Sequence, residues 1–225
     1  MKESRKQKII MEVYNKLEKQ SESYIQKHVD LQQIARDKGQ NSNQLIKKNG
    51  KQILLIIFIR YFSILAQNEQ KCLSRILKGF DIFYTTNYDL KNLININHLI
   101  TFYRILIYRD SAISETTKFL EKFFGFDEHK KQLEKQEFYK ILKETCLKTS
   151  EQQENATQQK QFLNIKNQFE IHGIFDFDPH NKNLQFLKVE KFREIFNTGL
   201  INIYEVLDQI ISIPVPGKQL TMLQI

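Results

Sequence analysis

Asp176-Phe-Asp178, with Asn181, Asn183 and Glu190 downstream, comes nearest in this sequence to a set of residues that could hold a ligand. Oxygen donors at that density suggest calcium. An EF-hand loop holds calcium through positions 1, 3, 5 and 12, with glycine at position 6 for the sharp turn. Neither register completes the set. Counting from Asp176 puts Asn181 at the glycine position and Leu187 at the last; counting from Asp178 puts Val189 there, one residue short of Glu190. His98, His129 and His172 share no metal-like spacing with one another or with cysteine, so surface or lightly buried imidazoles are expected. Cys146 has Lys143 and Lys148 nearby, which would lower a thiol pKa, but the sequence positions no base beside it. Glu134, Glu137 and Glu144 read as solvated charges on a helix face rather than an acid/base pair. Seven scattered glycines cannot build a phosphate-cradling loop. No catalytic residue, metal or cofactor is assigned, and an enzyme is not expected.

What remains is charge. The net charge is +8, and residues 1–109 carry 19 Lys and Arg against 9 Asp and Glu, while residues 110–225 carry 15 against 17. A basic first half suggests a surface that faces a polyanion. Richness in Lys, Asn, Ile and Gln together would also follow from the compositional bias of a coding genome. If nucleic acid binds, the sequence points to Lys47, Lys48 and Lys51, which flank the Asn49-Gly50 turn, with Arg75 and Lys78 three residues apart on one helix face. Such contacts would go to phosphates and weaken steeply with salt.

These residues need elements to position them, and the organising stretch is Gln52–Tyr84. Its apolar run Ile53-Leu-Leu-Ile-Ile-Phe-Ile-Arg-Tyr-Phe-Ser-Ile-Leu65 is shorter than the roughly 20 apolar residues of a membrane span and carries Arg60 in its middle. As a helix it is apolar nearly all round, hence buried by neighbours. After Gln67-Asn-Glu-Gln70, the residues Cys72, Leu73, Ile76, Leu77, Phe80 and Phe83 recur at steps of three and four. The two segments are expected to form an antiparallel helical hairpin with Leu54, Ile57, Phe58, Phe62, Leu73, Leu77 and Phe80 buried together.

Around that hairpin the same reading gives further helices. Ile9, Ile10, Val13 and Leu17 make a stripe, thinning through Tyr24, Val29, Leu31 and Ile34. His98–Tyr108 is strongly apolar. Asp110-Ser111 resembles an N-cap for a helix over Ala112–Phe124, with Ile113, Thr116, Phe119, Leu120 and Phe123 on one face and Gly125 as its stop. Glu134–Lys148 follows, then a polar loop over Ser150–Gln161, then a helix beginning at Phe162. Short helices are expected over Val189–Phe196 and Leu200–Ile211.

The fold class is therefore all-α: an irregular HEAT-like α-solenoid of helical hairpins, with a small irregular or hairpin excursion near 171–189. It divides into a basic N-terminal helical region (1–50), a core helical-repeat domain (51–170) and a C-terminal extension (171–225). Cys72 and Cys146 are expected to be buried thiols in a reducing compartment, and the basic start lacks the apolar core of a secretory signal.

Tyr61-Phe-Ser-Ile-Leu, a short gap, then Lys71-Cys-Leu-Ser-Arg-Ile-Leu-Lys-Gly-Phe-Asp-Ile-Phe resembles the signature of the CCAAT-binding-factor/nucleolar-complex family. The apolar segment Ile96–Leu106, the helix Ser111–Phe123, Glu137-Phe-Tyr-Lys-Ile-Leu-Lys-Glu-Thr-Cys-Leu147 and Lys160-Gln-Phe-Leu-Asn164 are similar to segments that follow in that family, in the same order. Lys143 departs from the pattern, standing where the family has tyrosine. The resemblance implies a non-enzymatic scaffold in the nucleus and nucleolus. Such a scaffold would act in large-subunit ribosome assembly, binding pre-ribosomal RNA and other helical-repeat assembly factors, with no membrane partner. The alternative is a cytoplasmic protein–protein adaptor, cytoskeletal or ciliary, without nucleic-acid binding.

Overall fold

The first stripe builds a longer helix than its apolar residues alone suggest. In a computed structural model, which describes residues 3–35, 53–61, 70–82, 93–146 and 156–211, α1 spans Glu3–Ala35 without a break. Ile10, Val13, Tyr14 and Leu17 are buried along it, and so is Ser21. Ser21 fits because its hydroxyl donates to the Leu17 carbonyl one turn back (2.7 Å), which satisfies the polar group without ending the helix.

The central run is divided between two kinds of structure. Ile53–Leu54 is a short strand, β1, and Leu55–Tyr61 is a helix, α2. β1 pairs antiparallel with β2, Leu93–Ile94, Ile53 lying opposite Ile94. α3 spans Gln70–Gly79 and buries Leu73, Ile76 and Leu77, with Phe80 just beyond its end. Its chief partner is α5, Ile113–Phe124, while α2 packs on α1 and the β1–β2 pair. The hairpin expected between these two segments turns through residues 62–69, which lie outside the described residues; among the described residues Phe58 of α2 and Phe80 after α3 both pack on the Phe102 ring. Gly79 decides the α3–α5 pairing locally, since a Cβ there would lie 2.5 Å from the Phe119 ring of α5. Ile57 and Phe58 are buried as expected; the side chain of Leu54, and Phe62 altogether, lie outside the described residues.

α4, Ile96–Phe102, begins at a reciprocal cap. The Asn95 side chain accepts from the His98 N–H (3.0 Å), and the Asn95 N–H donates to Nδ1 of His98 (3.4 Å), so the imidazole stands where glutamate stands in a capping box. Accepting at Nδ1 requires the neutral ring. Burial holds the His98 pKa below its ordinary 6.5, against a smaller opposing pull from Asp81. A histidine whose folded pKa is depressed costs stability as pH falls, because the unfolded chain takes the proton first. Stability of the parent should therefore decline as pH drops below about 6.5. A His98→Glu variant, which keeps the box, should lose that component of the decline. Urea midpoints of both proteins at stepped pH would check this; identical pH profiles would remove His98 from the cap.

Past α4 the helix widens into a π-helical turn, Tyr103–Ile107, closed by the Tyr108 N–H on the Tyr103 carbonyl (2.7 Å). The N-cap of α5 is Ala112 rather than the expected Asp110-Ser111. Ser111 is buried one position earlier, its hydroxyl 2.6 Å from that of Thr116, and its carbonyl accepts from the Tyr204 hydroxyl (2.7 Å). Gly125 ends α5 as expected, at φ 98°, with the Phe126 N–H returning to the Glu121 carbonyl (2.9 Å).

The second half adds a sheet. β3 is Gln132–Glu134, followed by α6, Lys135–Cys146, and α7, Ala156–Ile171, which begins six residues before the expected start at Phe162. Residues 156–161, read from the sequence as loop, are therefore helical. β4, Phe175–Phe177, and β5, Gln185–Lys188, form the hairpin expected near 171–189. β3 joins them in the antiparallel order β3-β5-β4. Leu133 and Phe175 both lie opposite Leu187, and all three are buried. α8, Val189–Asn197, and α9, Ile203–Ile210, complete the chain, α9 packing on α5, α6 and α7.

The fold is mostly helical with a small three-stranded antiparallel sheet, not all-α. A single buried cluster runs from Ile10 to Ile211. Glu121 of α5 ties into it through a two-pronged ion pair with Arg193 of α8, both contacts 2.7 Å. Among the described residues no helix is long and apolar enough to cross a membrane.

Candidate functional site

Lys47, Lys48 and Lys51 lie outside the described residues. Arg75 and Lys78, on α3, have different surroundings. The Arg75 guanidinium is half-buried and donates to the Phe123 carbonyl at the end of α5 (3.4 Å), where a cation suits the negative end of the helix dipole. Lys78 is exposed. Its charge helps to hold the Asp127 carboxyl below the usual carboxylate range, after the backbone N–H groups of Lys130 and His129. Arg75 thus joins α3 to α5, and Lys78 keeps an ammonium at the surface.

The two aspartates of the calcium-like stretch have separate partners. Asp176, on β4, pairs with Lys191 (2.5 Å) and Lys188 (3.1 Å), and the Lys191 bond chiefly holds its carboxyl low. Asp178 instead closes the hairpin turn, accepting from the N–H groups of His180 (2.7 Å) and Asn181 (2.9 Å). This is the Asx turn that favours Asp in such loops. Among the described residues no three His, Cys, Asp or Glu side chains gather as metal ligands would. His129 and His172 are exposed and His98 half-buried. The side chains of Cys72 and Cys146 lie outside the described residues.

One concavity among the described residues is not revealed by the sequence pattern. It lies between the first turns of α1 and the α4–π segment, with a volume of about 480 Å³. α1 contributes Glu3, Lys6, Gln7, Ile10 and Met11, one helical face; Ile100, Arg104 and Tyr108 come from the other wall at steps of four, with Asp110 beyond. Lys6 pairs with Asp110 and stands over the Tyr108 ring, 5.3 Å from its centroid. The π turn shapes this wall. In an α-helix residues five apart point about 140° away from each other, but the wider turn brings the Tyr103 and Tyr108 rings to 5.4 Å. Arg109 leaves the turn in a left-handed conformation, φ 54°, held by bonds to the Ile105 carbonyl (2.9 Å) and Asp208 (2.6 Å). Burial, then the Asp110 and Glu3 carboxylates, push the Tyr108 phenol above its ordinary pKa, so it keeps its proton. Nothing in the sequence flags Lys6, Arg104 and Tyr108 as a group. The one available hint was an apolar stripe running to Tyr108 with no stop signal, followed directly by Arg109-Asp110.

Comparison of the chain with protein-family models, with curated proteins and with solved structures gives no match.

Proposed function

We propose that this chain is a non-enzymatic helical scaffold that binds other macromolecules, resembling nucleolar ribosome-assembly factors. Partner proteins would dock at its sheet end, and pre-ribosomal RNA at its basic first half. The observation that carries the reading is that β4 is an outer strand of the sheet formed by the described residues. The Asp178 N–H bonds to the Leu184 carbonyl (2.9 Å), so by the alternation of an antiparallel ladder Phe175 and Phe177 turn their backbone groups away from β5. An outer strand of this kind accepts an added strand. Phe177 on it is 64% exposed, and Ile171, the last residue of α7, is 79% exposed. HEAT-like stacking belongs to the same proposal. The packed consecutive pair α6–α7 supports it, while α9, reaching α5, α6 and α7, goes beyond the neighbour-only packing of a solenoid.

RNA contact would use Lys47, Lys48 and Lys51, with help from Arg75 and Lys78. Affinity purification at low and high salt should recover pre-ribosomal RNA at low salt together with helical-repeat partners. Replacing Lys47, Lys48 and Lys51 with Gln should flatten the slope of log affinity against log salt by up to about 3, roughly one for each phosphate no longer neutralised. The adaptor reading is favoured by Arg75, whose guanidinium already serves the Phe123 carbonyl. If no RNA binds at low salt and only proteins are recovered, the adaptor reading stands.

A further inference from the structure

We propose that the cleft between α1 and the α4–π segment binds a small monocarboxylate, a single anionic head on an apolar body. This goes beyond the scaffold reading and does not depend on it. A volume of about 480 Å³ lies within the range of roughly 300–1,000 Å³ that small-molecule sites occupy. One side is apolar: Ile10 is buried at the floor, Ile100 is half-buried, and Met11 stands 47% exposed at the rim. Opposite them lie the polar groups that would fix a head group.

Arg104 is the cation available to it. Its carboxylate partner among the described residues is Glu115 at 3.6 Å, with side chains 42% and 49% exposed. A long, solvated pair of this kind contributes little to stability, so a ligand carboxylate can replace it at little cost. Lys6 is different. It is held by Asp110 and by the Tyr108 ring, and so supplies a fixed positive edge rather than a mobile arm. The Tyr108 hydroxyl oxygen is buried, with no hydrogen-bond partner among the described residues. A buried hydroxyl left unbonded is uncommon and unfavourable, and a turn of the Tyr108 side chain toward the cleft would let a ligand carboxylate oxygen accept its proton.

Charge selects the kind of anion. Asp110 is neutralised by Lys6, but Glu3 also lines the cleft and adds a negative charge. The lining charges of Glu3, Lys6, Arg104 and Asp110 cancel in the empty cleft, so a monocarboxylate adds one negative charge beside Glu3 whereas a dianionic phosphate adds two. The π turn contributes geometry: it carries Arg104 and leads into Tyr108, on the wall that also presents Ile100. π turns occur often at functional sites.

The test uses octanoate, with octanamide as its uncharged counterpart and octyl phosphate as the dianion, titrated calorimetrically into the full chain. Octanoate should bind; octanamide should bind at least about tenfold more weakly, because it loses the charge-assisted bond, and octyl phosphate should bind more weakly than octanoate, because it brings a second negative charge beside Glu3. Arg104→Gln should weaken octanoate by about tenfold or more and leave octanamide unchanged. Tyr108→Phe should weaken octanoate severalfold while leaving the melting temperature unchanged or raised, which a merely structural tyrosine would not do. Met11→Trp, at the exposed rim where folding is not at risk, should obstruct octanoate and octanamide alike. Equal affinity for octanoate and octanamide, octanoate affinity indifferent to Arg104→Gln, or no octanoate binding at millimolar concentration would each overturn the proposal. Tighter binding of octyl phosphate than octanoate would overturn the monocarboxylate assignment.

Discussion

Phe138→Ala should lower the unfolding free energy by about 3–5 kcal/mol, the range for removing a fully buried aromatic ring. Phe138 of α6 is completely buried. Its ring meets those of Phe124 (4.7 Å), Phe169 (5.0 Å), Phe175 (6.0 Å) and Phe192 (6.4 Å). Those rings come from α5, α7, β4 and α8, so one side chain joins four elements around α6. The contacts are tilted or edge-on, the geometries that add to area burial between aromatic rings. The cavity cannot collapse, because each lining ring is held by others: Phe192 also packs on Phe196 (5.0 Å) and Phe126 (5.3 Å). Chemical denaturation monitored by circular dichroism would give the value. A loss under about 1 kcal/mol would mean that the sheet and α5–α8 are not built around this ring.

Gly79→Ala should destabilise by about 1–3 kcal/mol, as overpacking of a filled core does. The sign is diagnostic, because Ala in place of Gly within a helix ordinarily stabilises by up to about 1 kcal/mol. Here the added methyl would lie 2.5 and 2.6 Å from two carbons of the Phe119 ring and 3.2 Å from the Phe119 carbonyl oxygen. The ring has nowhere to go: Phe119 is buried and packs on Phe80 at 4.6 Å. Adding Phe119→Leu to Gly79→Ala should recover part of the loss, the non-additivity expected of touching residues. Thermal melts of the two single variants and the double would decide it. A Gly79→Ala protein melting at or above the parent would show that α3 and α5 do not approach so closely.

The two variants probe different halves of the core, and their contrast bears on the sheet end proposed for partner binding. Phe175 and Leu187 are buried against α6 on the inner face of the hairpin, whereas Phe177 emerges from the same strand into solvent. A strand can present one aromatic inward and another outward on the same face only when its end overhangs the core. Phe177 and Gln185 form the last paired position before the turn, which places them at that overhang.

Much of the helical framework could be read directly from the sequence, because an apolar stripe at steps of three and four is a local property of the chain. Leu73, Ile76 and Leu77 on α3, Phe119, Leu120 and Phe123 on α5, and Ile141 and Leu142 on α6 are buried as their spacing requires. Gly125 ends α5 because glycine tolerates the left-handed turn that closes the helix. Asp178-Pro179-His180-Asn181 folds as a turn because its first side chain bonds the backbone two and three residues on. These outcomes need no distant partner.

What only the tertiary structure decided always involves a partner far along the chain. β3 has one apolar residue, Leu133, between Gln132 and Glu134, and becomes a strand because β5 lies beside it more than fifty residues later. Ile53–Leu54 forms strand rather than helix because Leu93–Ile94 is there to bond it, a choice that propensity alone does not make. α3 packs closely on α5 because Gly79 and Phe119 fit one another. The cleft is the extreme case: Lys6 reaches Asp110 across 104 residues of sequence, and the π turn that shapes its wall shows in no periodic signal. Local spacing determines which face of an element is apolar, but the partner is set by shape and by backbone hydrogen bonds between segments that meet only when the chain has folded.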